Sequence, residues 1–225
     1  MDPALLQARG LCFAYGGRPV LRGIDLDVMP GSCSVIGGDN GTGKSTLLNL
    51  LQGRLRPSSG WVTLAGRPLW GRRRQVALVP QNPPLNWRYP IDLGALVALA
   101  AEGDPGAAEP ALRQVGLEAL RAQPIARLSA GQRQRALIAR ALAQRAAVLL
   151  LDEPLASLDG ASRRRLGTLL AEVVASGRAV VLSAHGELPQ TLPRWSGYEL
   201  RDGRLHPQPV PSPLLPWPLQ TLPFG

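Results

Sequence analysis

The stretch "GDNGTGKST", Gly38 to Thr46, decides the fold. It fits G-x-x-x-x-G-K-[ST] from Gly38 to Ser45, with the apolar "CSVIG" before it and "LLNLL" after it. A strand, a glycine-rich turn and a helix start, in that order, form a phosphate-binding loop. The glycines let the backbone bend so that several N–H groups converge on phosphate oxygens, and the helix start adds a favourable dipole. Gly38, Asp39, Asn40, Gly41, Thr42, Gly43, Lys44, Ser45 and Thr46 are the expected nucleotide cradle. Within it Lys44 reaches the terminal phosphates and the Ser45 hydroxyl ligates Mg2+. Lys44 is also the chain's only lysine; every other cation among its 25 Lys and Arg is arginine.

The 225 residues are 45% hydrophobic, enough for one domain with a buried core, alone or with a small subdomain. No apolar run approaches the ~20 residues that cross a bilayer; "LGALVALAA" (Leu93–Ala101) is far shorter. The start "MDPALLQARG" has no basic segment followed by an apolar core, so no secretory signal is expected. Cys12 and Cys33 are too few for a disulfide framework, and their flanks read as buried strands. A reducing, cytoplasmic setting is expected. The net charge of +9 reads first as a solvated basic face, with anionic lipid or nucleic acid as the alternatives.

Apolar runs alternate with helical patterns. "GLCFAY", "IDLDVMPGSCSVIGG", "WVTLAG" and "QVALVPQ" have strand character, and "KSTLLNLLQG" is helical. A less regular section, Asn82 to Arg127, carries short helical pieces. "SAGQRQRALIARALAQ" is a helix with arginines on its wet face. "AAVLLLDEP" and "RAVVLSAH" read as strands buried on both faces, with "ASRRRLGTLLAEVVASG" the helix between them. Such alternation implies a parallel sheet covered by helices. From Pro207 to Gly225 seven prolines exclude a regular helix or central strand. An extended tail, partly pinned by Leu214, Leu215 and Trp217, is expected there.

The phosphate loop alone leaves kinases, GTPases and many ATPases open. "LSAGQRQRALIARAL" (Leu128–Leu142) followed by "VLLLDEP" (Val148–Pro154) narrows the choice. With these motifs in this order, the chain resembles the ATP-binding cassette (ABC) ATPases up to about Leu205. The resemblance implies an α/β P-loop NTPase fold with a mostly parallel sheet core flanked by helices. It adds an N-terminal antiparallel β part and a small helical subdomain at about 82–130. The cassette would then fill 1–205, with the proline-rich tail at 206–225.

The resemblance also implies roles. Ser129, Ala130, Gly131 and Gln132 form the signature that binds the γ-phosphate of ATP held by another subunit; Ala130 stands where glycine is usual. Asp152 holds Mg2+ through water, and Glu153 is the catalytic carboxylate that polarises the attacking water. Adjacent strand residues alternate in direction, which separates the two acids. Gln81 touches Mg2+ and the attacking water, and His185 contacts the γ-phosphate. Tyr15 stacks on adenine, and "SLD" (Ser157–Asp159) crosses the dimer interface. Gly186 stands where an Asp often follows the histidine. Since each ATP needs one subunit's loop and another's signature, a head-to-tail homodimer enclosing two MgATP is expected.

The segment "QNPPLNWRYP" (Gln81–Pro90) is open to three readings from its residues: a base-stacking patch, a protein socket or a packed turn. By resemblance the part after Gln81 faces a membrane permease. Asn86, Trp87, Arg88, Tyr89 and Pro90 are similar to the segment found in zinc- and manganese-type importer cassettes. Trp87, Arg88 and Tyr89 are accordingly expected to form a partner-facing socket, with Trp87 dispensable for basal ATP hydrolysis. The expected assembly is a peripheral ATPase on the cytoplasmic face of the membrane. It powers zinc or manganese import through separate permease subunits and, indirectly, an extracytoplasmic binding protein. Iron-chelate or another small solute is the alternative cargo. Nucleic acid is not an expected partner, because soluble cassettes acting on it usually carry two cassettes or a coiled-coil insertion.

Overall fold

Along "VLLL", Val148–Leu151, side chains enter two cores in turn: Val148 and Leu150 join one, Leu149 and Leu151 the other. A strand buried on both faces needs cover on both, and that requirement organises the molecule. The computed structural model describes residues 3–101, 105–156, 158–185, 188, 191–192 and 195–208.

Among the described residues ten strands form two sheets. Strands β1 (Leu6–Tyr15), β2 (Arg18–Val28), β4 (Ser59–Leu64) and β5 (Arg67–Pro68) make an antiparallel sheet in the order β2-β1-β4-β5. The central sheet runs β10-β9-β3-β8-β7-β6, from β3 (Cys33–Gly37), β6 (Val76–Val79), β7 (Val148–Leu151), β8 (Ala179–Ser183), β9 (Trp195–Arg201) and β10 (Arg204–Gln208). Its pairings are parallel except for the β9–β10 hairpin. Helix α1 (Lys44–Gln52) and the antiparallel sheet share one core, through Leu47, Leu48 and Leu51 against Leu6, Ile24 and Val181. Helices α2 (Leu93–Ala100), α3 (Pro105–Gln114), α4 (Ala130–Ala143) and α5 (Gly160–Ala175) cover the other face. This is the mostly parallel, helix-flanked architecture with an antiparallel N-terminal part that the sequence implied.

Three details differ from the sequence reading. "IDLDVMPGSCSVIGG" is two strands in different sheets, because the turn through Pro30 and Gly31 separates β2 from β3. The β9–β10 hairpin was not expected. It turns on Asp202 and Gly203, at φ 52° and 74°, the left-handed pair that suits the twist of adjoining strands. Finally, β10 carries the chain through Pro207 to Gln208, past the expected boundary at 205; as an edge strand it tolerates a proline without an N–H. The rest of the proline-rich tail, with Leu214, Leu215 and Trp217, lies outside the described residues, as do Ser157 and Gly186.

Cys33, on β3, is buried as expected, and burial pushes its thiol up to about 12. Cys12, on β1, is only half-buried, with its sulfur accepting the Gly23 N–H at 3.2 Å. Native protein treated with iodoacetamide near pH 8 should leave Cys33 unmodified, and guanidinium should expose it to alkylation. Peptide mass spectrometry reads the difference; equal labelling in both states would contradict this burial.

Candidate active site

The candidate site lies where β3, β6, β7 and β8 end together at one edge of the central sheet, the edge at which open α/β sheets bind ligands. From β3 the chain enters the phosphate loop. Gly38 there has φ 136°, and a Cβ on it would lie 2.5 Å from the Leu200 carbonyl oxygen of β9. Within the loop the Thr42 hydroxyl donates to the Asp39 carbonyl at 2.9 Å. The buried Lys44 ammonium donates to the Gly38 carbonyl at 2.7 Å and the Asp39 carbonyl at 3.0 Å.

Helices α2, α4 and α5 are capped by their own side chains, Asp92, Ser129 and Asp159. Helix α1 has none: Gly43 offers no cap, and its first turn contains no acid. The first N–H groups of a helix need outside partners, and the dipole there favours an anion. Uncapped donors beside a buried ammonium fit the phosphates of a nucleotide. Ser45, next to Lys44, is exposed at this rim, and Thr46 is turned inward.

Past the end of β7, the Asp152 N–H donates to the Val79 carbonyl at 2.9 Å, which prolongs the β6–β7 pairing by one residue. Glu153 then turns to φ 45°, a strained conformation for a non-glycine residue preceding a proline. The turn brings its carboxylate to the loop. Oε1 lies 3.6 Å from Lys44 Nζ, and Oε2 accepts from Gln81 Nε2 at 2.8 Å. Lys44, Gln81 and Glu153, far apart in sequence, therefore converge. Asp152 is tied in by a residue the sequence reading missed: the Ser183 hydroxyl donates to Asp152 Oδ1 at 2.7 Å and accepts the Glu153 N–H at 2.8 Å. A serine closing the apolar run of "VVLSAH" gave only a weak signal.

His185 leaves β8 two residues later and is exposed. Ser183 lies opposite Ile36 of β3, so His185 emerges beside the phosphate loop. Tyr15 stands 53% exposed at the tip of the β1–β2 hairpin, its ring edge-on to Phe13 at 4.8 Å. From the same hairpin Val20 approaches the loop, where a Cβ on Gly43 would meet Val20 Cγ1 at 2.8 Å.

The remaining candidates form a separate group. The Ser129 N–H donates to Gln132 Oε1 at 2.8 Å, and Ser129 Oγ accepts the Gln132 N–H at 3.3 Å, a reciprocal cap. The Ser129 hydroxyl proton remains available for donation. Ala130 opens α4 at the surface and is not among the positive-φ residues, so its Cβ introduces no backbone strain. A Cβ on Gly131 would sit 3.5 Å from Ser162 Oγ, which places this group against the start of α5. There Asp159 accepts from the Ser162 N–H at 2.8 Å and from its hydroxyl at 3.1 Å. Those bonds, the backbone one first, hold its carboxyl below its ordinary pKa. The side chains of this group close on one another rather than on the phosphate loop.

The segment after Gln81 differs in part from its expected form. Arg88 and Tyr89 are exposed, on a turn whose Arg88 N–H donates to Asn86 Oδ1 at 3.0 Å. Trp87 is half-buried against the helical core, with the Arg133 guanidinium of α4 over its ring at 5.1 Å. Part of its ring thus packs against the helical section and part stays accessible. Earlier in the same segment, Pro83 helps line a cavity of about 400 Å³ together with Arg54, Arg73, Leu78, Leu137 and Arg140. Arg140 Nε is buried there with no hydrogen-bond partner among the described residues, and burial lowers the Arg140 pKa.

A parallel sheet with a phosphate cradle, a buried lysine and an acid pair at its carboxyl edge is the architecture of a P-loop nucleotide hydrolase. The model of the ABC transporter family matches residues 21–156, and the chain belongs to that family as an ATP-binding subunit that hydrolyses ATP to drive transport. It is similar to the zinc transport system ATP-binding protein TroB of Treponema pallidum (35% identity; 80% of this chain, 72% of TroB). It is also similar to the manganese transport system ATP-binding protein MntB of Bacillus subtilis (35%; 76% and 73%) and the cobalt import ATP-binding protein CbiO of Salmonella typhimurium (39%; 80% and 72%). Its fold is similar to that of cbiO1 from Clostridium perfringens, with a TM-score of 0.81 at 28% identity over 91% of this chain and 87% of that one. Among the described residues no helix is long and apolar enough to cross a membrane.

The packing of Trp87 changes what its removal should do. Trp87→Ala should destabilise the protein by roughly 1–3 kcal/mol, below the cost for a fully buried tryptophan, and should lower basal ATP hydrolysis. Tyr89→Ala, at an exposed ring, should stay within about 0.5 kcal/mol of wild type. Denaturant unfolding measures both, and equal midpoints for the two variants would contradict the packing.

Proposed function

We propose that this chain supplies the energy for import of a divalent metal ion, zinc or manganese, working as a head-to-tail homodimer beneath a membrane permease. The observation that carries the hydrolytic reading is the convergence of Lys44, Gln81 and Glu153 at the uncapped start of α1. ATP phosphates take the N–H groups of Gly38–Thr46, and Lys44 exchanges its carbonyl partners for the terminal phosphates. Glu153, held between Gln81 and Lys44, is placed to accept a proton from the attacking water, and Gln81 orients that water. Ser45, Asp152 and Gln81 are oxygen donors suited to Mg2+, which when bound neutralises charge on the phosphates. His185 contacts the γ-phosphate, and Tyr15 packs on the adenine.

The separation of the two groups supports the homodimer. Ser129 keeps a free hydroxyl proton at an exposed helix start with no acid in its first turn, a second anion site facing outward. A second copy would bring that site over the first copy's ATP, with Asp159 beside it. Glu153→Gln should abolish hydrolysis while preserving nucleotide binding, and ATP should shift the variant from monomer to dimer on gel filtration. A variant that stays monomeric with saturating ATP would count against the paired arrangement.

Similarity to TroB and MntB, together with the Asn86–Pro90 segment, supports zinc or manganese as cargo. Cobalt is the second reading, favoured by the similarity to CbiO. The subunit would sit peripherally on the cytoplasmic face, with Arg88, Tyr89 and the arginine-lined cavity towards the permease and an extracytoplasmic binding protein delivering the ion. Arg88→Ala with Tyr89→Ala should leave the isolated subunit's ATPase rate within about twofold. In vesicles containing the permease the same pair should remove transport-stimulated hydrolysis. Unchanged stimulation would move the contact elsewhere, and comparing stimulation by zinc, manganese and cobalt identifies the cargo.

A further inference from the structure

We propose that Ser183 is a positioning residue for hydrolysis, a buried hydroxyl at the end of β8 that sets the relative orientation of Asp152 and Glu153. The inference rests on the roles proposed for those two acids. Ser183 is 0% exposed, and both of the hydroxyl's hydrogen bonds go to the acid pair. Its proton goes to Asp152 Oδ1 at 2.7 Å, a charge-assisted bond of the stronger kind. Its lone pair takes the Glu153 N–H at 2.8 Å.

Each bond constrains a different feature. Tying down Oδ1 fixes the rotation of the Asp152 carboxylate and leaves Oδ2 as the oxygen available to a cation. Holding the Glu153 N–H fixes the peptide at which the chain leaves β7. The last sheet-type bond there is from the Asp152 N–H to Val79, and Glu153 at φ 45° cannot continue the ladder. Without the hydroxyl that N–H would lose the partner it has, and the strained residue would be free to relax. Its carboxylate would then leave the 2.8 Å bond to Gln81 and its approach to Lys44.

Strand packing does not account for the hydroxyl. Ser183 pairs through its backbone opposite Ile36, and Leu182 and Ala184 on either side are apolar and buried. Alanine would serve β8 as well. What alanine lacks is the ability to donate to one acid residue and accept from the next.

The test compares wild type, Ser183→Ala and Ser183→Thr in three measurements: steady-state hydrolysis, binding of a fluorescent ATP analogue in EDTA and across a Mg2+ titration, and thermal melting. Partners one step removed from a metal typically affect affinity or activity by about 10–100-fold. Ser183→Ala should lower kcat by about that factor with little change in KM, and should raise the Mg2+ concentration that half-saturates its effect on analogue binding by about tenfold. Binding in EDTA should be unchanged, and Ser183→Thr should restore both losses. Wild-type kcat and Mg2+ dependence in Ser183→Ala would overturn the proposal. So would an equal loss of binding with and without Mg2+ that threonine does not rescue. If Ser183→Ala does not fold, Ser183→Cys, similar in shape but a weaker donor, should fall between wild type and inactivity; full activity would overturn the proposal. Wild type that bound nucleotide without hydrolysing it would overturn instead the functional reading beneath.

Discussion

A buried ammonium has to be compensated, and the architecture of this site follows from that of Lys44. Removing such a charge from water costs several kcal/mol unless partners surround it. Here the partners are two carbonyl dipoles of its own loop and a carboxylate 3.6 Å away. The carbonyls belong to the bend that follows β3, and the carboxylate belongs to the strained residue after β7. Strands β3 and β7 are not neighbours, since β8 lies between them. The lysine therefore spans three strands, and the order of the central sheet is a condition of its compensation. Phosphates are stronger partners than carbonyls, so the same arrangement that tolerates the buried charge makes it available to ATP.

The helical section reaches this centre through few contacts. Gln81 stands at the exit of β6 with its side chain on Glu153, and a few residues later Trp87 packs under Arg133 of α4. A displacement of α4 would act on Trp87, and the short loop between would carry it to Gln81. Arg140, further along α4, extends the link to the arginine-lined cavity, where its buried Nε has no partner among the described residues. A permease segment bringing a carboxylate into that cavity would satisfy the guanidinium and press on the same helix. In the proposed assembly this would be a physical route, through packed side chains, by which docking and hydrolysis could influence each other.

Much of the fold was legible because its signals are local. "CSVIG", "VLLL" and "AVVLS" are short apolar runs bounded by turn or polar residues, and the glycine spacing around Lys44 fixes a strand–loop–helix unit. The β9–β10 hairpin was not expected, although Asp202-Gly203 is a local turn signal for it. Individual site residues could be read from motif order, whereas their contacts could not. Nothing in the sequence places Ser183 between Asp152 and Glu153, because that depends on β7 and β8 being neighbours in the sheet. The burial of Trp87 escaped for the same reason: its partner Arg133 is distant in sequence and reads there as one arginine of a wet face.

The two helix starts to which the proposed mechanism assigns the nucleotide solve the problem of unpaired N–H groups in opposite ways. At α1 no side chain caps the helix, and the donors stay open inside a concave loop. At α4 Ser129 and Gln132 cap each other, which keeps the exposed signature ordered without a ligand. A reciprocal cap uses the serine as an acceptor and leaves its proton free, so the structure that stabilises the helix also leaves a donor pointing outward. Burying both donor sets in one chain would require folding α4 over its own phosphate loop, against the core contacts that hold Ala136, Ile138 and Ala139 inward. In the proposed pairing a second copy would bring the capped start to the open one with neither helix leaving its core, and on that ground the half-site in each chain favours the paired arrangement.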